Sequence, residues 1–546
     1  MKIISNQHPP RFEALENRQL LSAGQLDPTF GDGGKVVTNQ GLAGGTSGGV
    51  AVQADGKLLV GAQGDGYQGF NLIRYNNDGS VDTSFGDDGI AKTRHDDMLQ
   101  AMLVQADGKI LLAGLHSDTS GTNFTMSTVI TRFNSNGTLD TDFGDGGVVI
   151  LPGDTYSNAG PLQAHATFSP GNVKLATQVD GKIILTQILG DDGTTSGADL
   201  NVIRLNEDGT LDSSFGTGGK AVIELRVMET PKDLVIQADG KIVVSADGYS
   251  VVTSGNSTSW PSLKTFLIRL NDDGTFDNGF GTDGVVTENA TLWQINASKL
   301  AIGLDGKLLL LGEEMSTTRS VESFLIRYNT DGTRDTDFGT GGRTVLDPGD
   351  GGSVADLLVQ PDGKLLLSGE TSGPSGRPSM LSQRLNEDGT LDTGYGDGGN
   401  KVVSVGSSFD YAGAMALQQD GGILITGFSD KIHSETSNDL SDIALIRLEG
   451  DAGSAGSAHA SLRRGKDQQA PYLGKNKFAS HQRSPKRTAM ELAAQAAAAT
   501  GHHRSPKRIA MEIAAKVQQA LADGSHRSPK RLSMEVAAAI FSTTEI

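Results

Sequence analysis

The chain repeats one phrase seven times, and a repeat of near-constant period settles an architecture before any local reading does. In its clearest copies the phrase is Leu-Asp-x-x-Phe-Gly-x-x-Gly. Its aromatic falls at Phe30, Phe85, Phe143, Phe215, Phe280, Phe338 and Tyr395, at spacings of 55, 58, 72, 65, 58 and 57 residues. A second marker, Asp-Gly-Lys, begins at Asp55, Asp107, Asp180, Asp239, Asp305 and Asp362, and becomes Asp-Gly-Gly at Asp420. A third is an arginine that ends an apolar run: Arg74, Arg132, Arg204, Arg269, Arg327, Arg384 and Arg447.

One repeat, residues 86–145, resolves into four short extended pieces. Strand a is Ile90–Thr93, strand b is Gln100–Gln105, strand c is Lys109–Gly114 and strand d is Ser127–Phe133. Asp-Gly between two apolar runs is a strong hairpin signal, because glycine takes a positive φ at little cost. Four strands in about 60 residues match one blade of a propeller, whose blades are four-stranded sheets around a channel. The competing fold, a parallel β-helix, has shorter rungs. No repeat carries a 3.6-residue apolar period, which excludes a helical solenoid. The predicted fold class is all-β: a seven-bladed β-propeller of four-stranded blades over 24–450.

The ends of the array predict closure of the ring. Arg447-Leu-Glu-Gly is followed by no Leu-Asp-x-x-Phe-Gly, and the first such motif, Leu26–Gly31, has no strand d before it. Each end supplies what the other lacks, removing two exposed sheet edges.

The alternation of connections predicts two unequal faces. The b–c and d–a connections are the invariant Asp-Gly and Leu-Asp-x-x-Phe-Gly turns. Every long insertion falls in the other set: Asp154–Pro170 between a and b, Asp247–Leu263 and Phe428–Asp442 between c and d. Variable loops gathered on one face are where binding is expected.

The repeated phrases, such as Leu211-Asp-Ser-Ser-Phe-Gly-Thr-Gly-Gly219 and Gln237-Ala-Asp-Gly-Lys-Ile-Val-Val244, resemble the bacterial delta-60 repeat family over about 24–450. That resemblance implies a propeller-like domain of exported or cell-surface proteins, and it carries no catalytic residue. Arg11-Phe-Glu-Ala-Leu-Glu-Asn-Arg-Gln-Leu-Leu-Ser-Ala23 resembles a segment near the start of many planctomycete exported proteins, departing from it at Ala14 and Asn17. This implies a sorting-like segment over 1–23 and an extracellular or cell-envelope location.

Composition limits the chemistry. The chain has no cysteine, so disulfides, thiolate catalysis and cysteine-held metals are excluded. No window approaches 18 apolar residues, so no membrane-spanning helix is encoded, and the start lacks the apolar core of a secretory signal. His95, His116, His165 and His433 are scattered along the repeats without metal-ligand spacing. No Gly-x-Ser-x-Gly elbow occurs in a strand–turn–helix context.

Four features remain as candidates. Asn76, Asp78 and Asp82, and likewise Asn271, Asp273 and Asp277, place oxygens as a Ca²⁺ loop would, but lack the closing bidentate Glu. Asx-turns explain the same residues without a metal, so no cofactor is expected beyond a structural Ca²⁺. The repeated Arg and the Asp of Leu-Asp-x-x-Phe suggest ion pairs that lock each blade to its turn. Trp260, in the 247–263 insertion, could stack a sugar or merely anchor its loop.

The fourth is the C-terminal region. Residues 1–450 hold 31 Lys+Arg against 58 Asp+Glu, a net of −27, whereas 451–546 hold 15 against 7, a net of +8. Residues 451–480 read as a flexible linker. Residues 481–546 carry Arg-Ser-Pro-Lys-Arg three times, contributing Arg483, Lys486, Arg487, Arg504, Lys507, Arg508, Arg527, Lys530 and Arg531. Each copy leads an Ala-rich run with Ser as N-cap and Pro at the first helical position, a short α-helix. The expected partner of these charges is a cognate protein or a polyanionic surface, with nucleic acid disfavoured by the scarcity of aromatics. The whole chain reads as a non-catalytic propeller that binds a protein or glycan through its variable face. The alternative is a polysaccharide hydrolase or lyase at the channel mouth, recognisable by carboxylates converging from different blades.

Overall fold

The computed structural model describes residues 22–451 except 39–46, 64–68, 94–96, 119–122, 158–172, 190–198, 226–227, 250–251, 255–256, 260–261, 290–293, 316–320, 350–351, 374–375, 407–408 and 430–441. The chain divides into Met1–Tyr472 and Leu473–Ile546, and the expected tail helices lie outside the described residues.

Seven four-stranded antiparallel sheets make up the first unit, one per repeat. Blade 1 runs from its inner strand Ser47–Val52 through Leu58–Gln63 and Phe70–Tyr75 to the outer strand Ile90–Lys92. The remaining inner strands are Asp97–Val104, Leu175–Thr177, Met228–Ile236, Gln294–Ile302, Ser353–Val359 and Asp410–Leu417. Each inner strand packs against those of both neighbours, and Asp410–Leu417 packs against Ser47–Val52, so the ring closes.

The phasing differs from the sequence reading in one respect. The strand after each Phe-Gly turn, such as Ile90–Lys92, is the outer strand of the preceding blade rather than the first of the next. The reason is local: the Leu-Asp-x-x-Phe-Gly turn is a hairpin connection, so the strands on either side of it must pair. The longer a–b connections therefore cross between blades.

Closure of the last blade follows from the same rule. Its sheet is completed by Lys35–Thr38 from the start of the array, in the register Lys35 opposite Ile446 and Thr38 opposite Ile443. Leu26 also bridges Leu448, and the Gly24 amide donates to the Glu449 carbonyl at 2.8 Å.

The core lies between blades, not within them. Along the second strand of blade 1, Leu58 and Val60 face blade 7, where Leu424, Ile443 and Leu445 meet them. Leu59 points the other way, to Ile110, Leu112 and Val129 of blade 2. Seven such clusters occupy the seven interfaces. Covered on both faces, the second and third strands read as continuous apolar runs, as buried parallel strands do. Each aromatic of the repeated phrase is fully buried, a stabilisation of about 2–3 kcal/mol apiece.

In this meander, the connections between first and second strands and between third and outer strands share one face. Those between second and third strands, and between blades, share the other. The long insertions gather on that second face. Within Asp247–Leu263 the described residues form a two-stranded ribbon, Val252–Ser254 with Ser257–Ser259.

Candidate functional site

Two sets of charges are built into the ring: one repeats around its turn face, the other lines the channel and differs from blade to blade.

The repeated set begins with an arginine at the end of each third strand. Arg132 Nε donates to Asp140 Oδ2 at 2.6 Å, and its guanidinium lies 4.3 Å above the Phe143 ring. Lys109, from the Asp-Gly-Lys turn, reaches the same Asp140 oxygen at 3.0 Å. Arg74, Arg204, Arg269, Arg327 and Arg384 repeat both contacts with Asp82, Asp212, Asp277, Asp335 and Asp392 and with their own aromatics. Burial alone would raise these carboxyls, but the hydrogen bonds and charges of the lysines and arginines outweigh it. Asp82, Asp140, Asp212, Asp277, Asp335 and Asp392 are all held below the usual carboxylate range.

The lock also reaches the next blade. Arg74 Nη1 donates to the Ser135 carbonyl at 2.8 Å, and Arg327 Nη1 to the Glu387 carbonyl at 2.6 Å. The amide after each aromatic does the same, Gly86 to the Asn136 carbonyl at 3.0 Å and Gly144 to the Asp208 carbonyl at 2.8 Å. The glycine of the receiving turn is required twice over. Gly137 has φ 88°, and a Cβ there would stand 2.9 Å from the Phe85 ring. At the seam, Arg447 pairs instead with Asp27 and with Asp420, and Arg384 reaches Asp451 at 2.7 Å. The sequence had signalled the Arg–Asp pair, but not the lysine or the reach into the neighbouring blade.

The proposed Ca²⁺ ligands are divided between two places. Asp78 Oδ1 accepts from the Ser80 amide at 2.9 Å and hydroxyl at 2.6 Å, and Asn76 Nδ2 donates to Ser80 Oγ at 3.0 Å. Asn271 and Asp273 make the same turn with Thr275. Asp82 and Asp277 face the arginine and lysine of the lock instead. Among the described residues no group of three His, Asp or Glu could hold a metal.

The channel set occupies one position of the inner strand, four residues before the residue that opens each Asp-Gly turn. From blade 1 to blade 7 it holds Gly49, Ala101, Lys174, Asp233, Lys299, Asp356 and Ala414. Opposite charges therefore alternate over four consecutive blades, while small residues fill the other three. A β-bulge adjoins the position in every inner strand but the short third one, as between Pro231 and Asp233. Such bulges re-aim side chains.

Lys299 Nζ lies 3.5 Å from Asp233 and 3.6 Å from Asp356, two carboxylates from different blades. The Asp233 charge, with that of Asp356, holds the ammonium above its ordinary pKa. Each aspartate also accepts an amide from the following blade, Asp233 from Leu300 at 2.8 Å and Asp356 from Met415 at 2.7 Å. Nearby, Lys232 pairs with Asp247 at 3.1 Å. Two carboxylates from different blades thus meet on one ammonium, and the ion pairs and amides that occupy them tie neighbouring blades together.

A cavity of about 540 Å³ opens beside this cluster. It is lined by the inner strands of blades 2–5, including Asp233 and Lys299, and by the Asp-Gly turns of blades 2 and 3. It therefore adjoins the invariant-turn face. Trp260 and the nine tail cations lie outside the described residues, as do His95, His165 and His433. No helix of the described residues is long and apolar enough to cross a membrane.

Six segments, 53–85, 105–143, 178–215, 237–280, 304–338 and 360–395, match a family model described as a domain of unknown function (DUF5122) beta-propeller. No curated protein matches the chain. Among solved structures, a protein of unknown function from Dyadobacter fermentans is 13% identical, with 78% of this chain and 100% of that one covered and a TM-score of 0.34. The polysaccharide lyase Uly1 is 13% identical over 76% of this chain and 92% of its own, at a TM-score of 0.42. A glucose dehydrogenase is 12% identical over 77% and 99%, at 0.35.

Proposed function

We propose that this β-propeller repeat protein is a non-catalytic binding module or scaffold, outside the cell or in its envelope. It would take a protein or glycan on the face that carries the long insertions. The supporting observation is the division of labour between the faces. One set of turns is consumed by the Arg–Asp–Lys lock, while the other set varies in length and sequence. Trp260, in one of those insertions, is the proposed stacking platform for a sugar ring.

The test is thermal unfolding of the full chain against panels of polysaccharides and cell-surface proteins, since a ligand of the folded state raises its apparent stability by mass action. A rise that is lost in Trp260→Ala and in a deletion of 252–259 supports the reading. Turnover of a polysaccharide, detected as new reducing ends, would replace it with the enzymatic alternative, which the convergence of Asp233 and Asp356 keeps in view. Two subsidiary proposals have their own readouts. Ca²⁺ at the Asn76–Asp82 and Asn271–Asp277 turns requires a melting temperature that falls with EDTA. Capture of a polyanionic surface by the tail cations requires binding that weakens steeply with salt.

A further inference from the structure

We propose that the channel mouth on the insertion-bearing face holds a subsite for a neutral oligosaccharide, with Tyr411 and Phe428 as its stacking platform and Glu313 and Glu370 as partners for sugar hydroxyls. The inference rests on the reading above and specifies one part of it, the ligand class and the residues that meet it.

The site lies on one tier of the ring. Each inner strand enters from the insertion-bearing face, and a residue near its start pairs with the sixth residue of the second strand. In blades 5, 6 and 7 these pairs are Asn296 with Glu313, Ser353 with Glu370, and Tyr411 with Phe428. All six residues are half-buried, so each keeps some access to solvent.

In blade 7 the two rings stack, with centroids 4.7 Å apart and planes 28° apart. Strand alternation puts Phe428 on the same face as Leu424, which meets blade 1. At this end of the interface blade 1 contributes Ala62, a side chain too short to cover two rings. Phe409, two residues before Tyr411, is 42% exposed. By contrast, the seven aromatics of the repeated phrase are fully buried. A half-exposed ring pair beside polar groups is the make-up of a sugar site, in which the C–H face of the sugar lies on the rings and its hydroxyls reach the polar groups.

Electrostatics select the kind of sugar. Burial raises the Glu313 and Glu370 carboxyls above their usual range, and the Glu370 charge adds to the rise at Glu313. Ser353 Oγ donates to Glu370 Oε1 at 3.4 Å, and the Val354 amide donates to Glu313. Each carboxyl retains lone pairs for a further donor. Two such carboxylates would repel a uronic acid, as would the net −27 of residues 1–450. The hydroxyls of a neutral sugar meet no such repulsion.

Isothermal titration of the full chain with cellohexaose, laminarihexaose and xylohexaose tests the subsite, with hexagalacturonate as the acidic control. At least one neutral hexasaccharide should bind, and the acid should not. Tyr411→Leu and Phe428→Leu keep apolar volume and remove a ring. Each should weaken binding about tenfold or more, the usual size of a lost aromatic anchor. Should both variants fail to fold, proton NMR of the sugar bound to Trp260→Ala gives the second readout: ring currents should still move its C–H resonances upfield. No neutral binding, equal binding of the acid, unchanged binding in both ring variants, or loss of the upfield shifts in Trp260→Ala would overturn the proposal. Sugar binding that survives in both ring variants but is lost in Trp260→Ala would overturn this subsite alone and leave the insertion-face reading standing.

Discussion

At the scale of single residues, the repeated turn separates two kinds of glycine that look alike in the sequence. In the Phe-Gly-x-Gly-Gly turn of blade 2, Gly144 has φ 55° and a Cβ there would lie 2.3 Å from the Val148 carbonyl oxygen, whereas Gly146 has φ 59° with nothing within 4 Å. Blades 1 and 4 carry Asp88 and Asp283 at the position of Gly146, with φ 52° and 51°. Gly144→Ala should therefore cost about 3 kcal/mol, combining left-handed strain with a clash. Gly146→Asp should cost less than about 1 kcal/mol, because Asp tolerates this conformation. Urea denaturation of both variants checks the contrast. The lock gives a second expectation. Arg132 and Asp140 keep only 3% and 6% of their side-chain exposure, so Asp140→Asn strands buried positive charge and should cost about 3 kcal/mol. An equal urea midpoint in that variant would show the pair to be idle.

At the scale of elements, the six depressed aspartates link stability to pH. A carboxyl with a lower pKa folded than unfolded contributes stability that is complete above its unfolded pKa, about 4. That contribution is lost as pH falls through the lower folded pKa. The urea midpoint should be level near neutrality and drop steadily below about pH 4, with a smaller drop in Asp140→Asn. Much at this scale was legible beforehand. Hairpin signals at Asp107-Gly108 and at Phe143-Gly144 are local, and they located the first three strands of blade 2 together with the outer strand of blade 1. The assignment of Ile90–Lys92 to the preceding blade was harder to see, because strand pairing, not strand content, decides it. The channel cluster was less visible still. Lys174, Asp233, Lys299 and Asp356 are single departures at one repeat position, and their meeting depends on a ring that brings residues more than 50 apart in sequence side by side.

At the scale of the molecule, seven similar interfaces close on a seam that the first and last copies make together. Closure predicts tolerance to moving the ends. A circular permutant that begins at residue 47 and carries residues 22–46 directly after 451 should fold with a melting temperature within a few degrees of the unpermuted 22–451 chain. Deleting residues 22–38 should lower it far more, since the last blade then loses its outer strand and the Asp27–Arg447 pair. Scanning calorimetry of the two distinguishes them, and equal loss in both would show that the seam contributes nothing. The seam also sets a schedule for synthesis. Lys35–Thr38 leaves the ribosome before its partner Asp442–Leu448, which follows some 400 residues later, a wait of roughly 20–80 s at ordinary elongation rates. Through that interval Lys35–Thr38 has no sheet to join, so the growing chain is prone to wrong pairing at this strand until the seam closes.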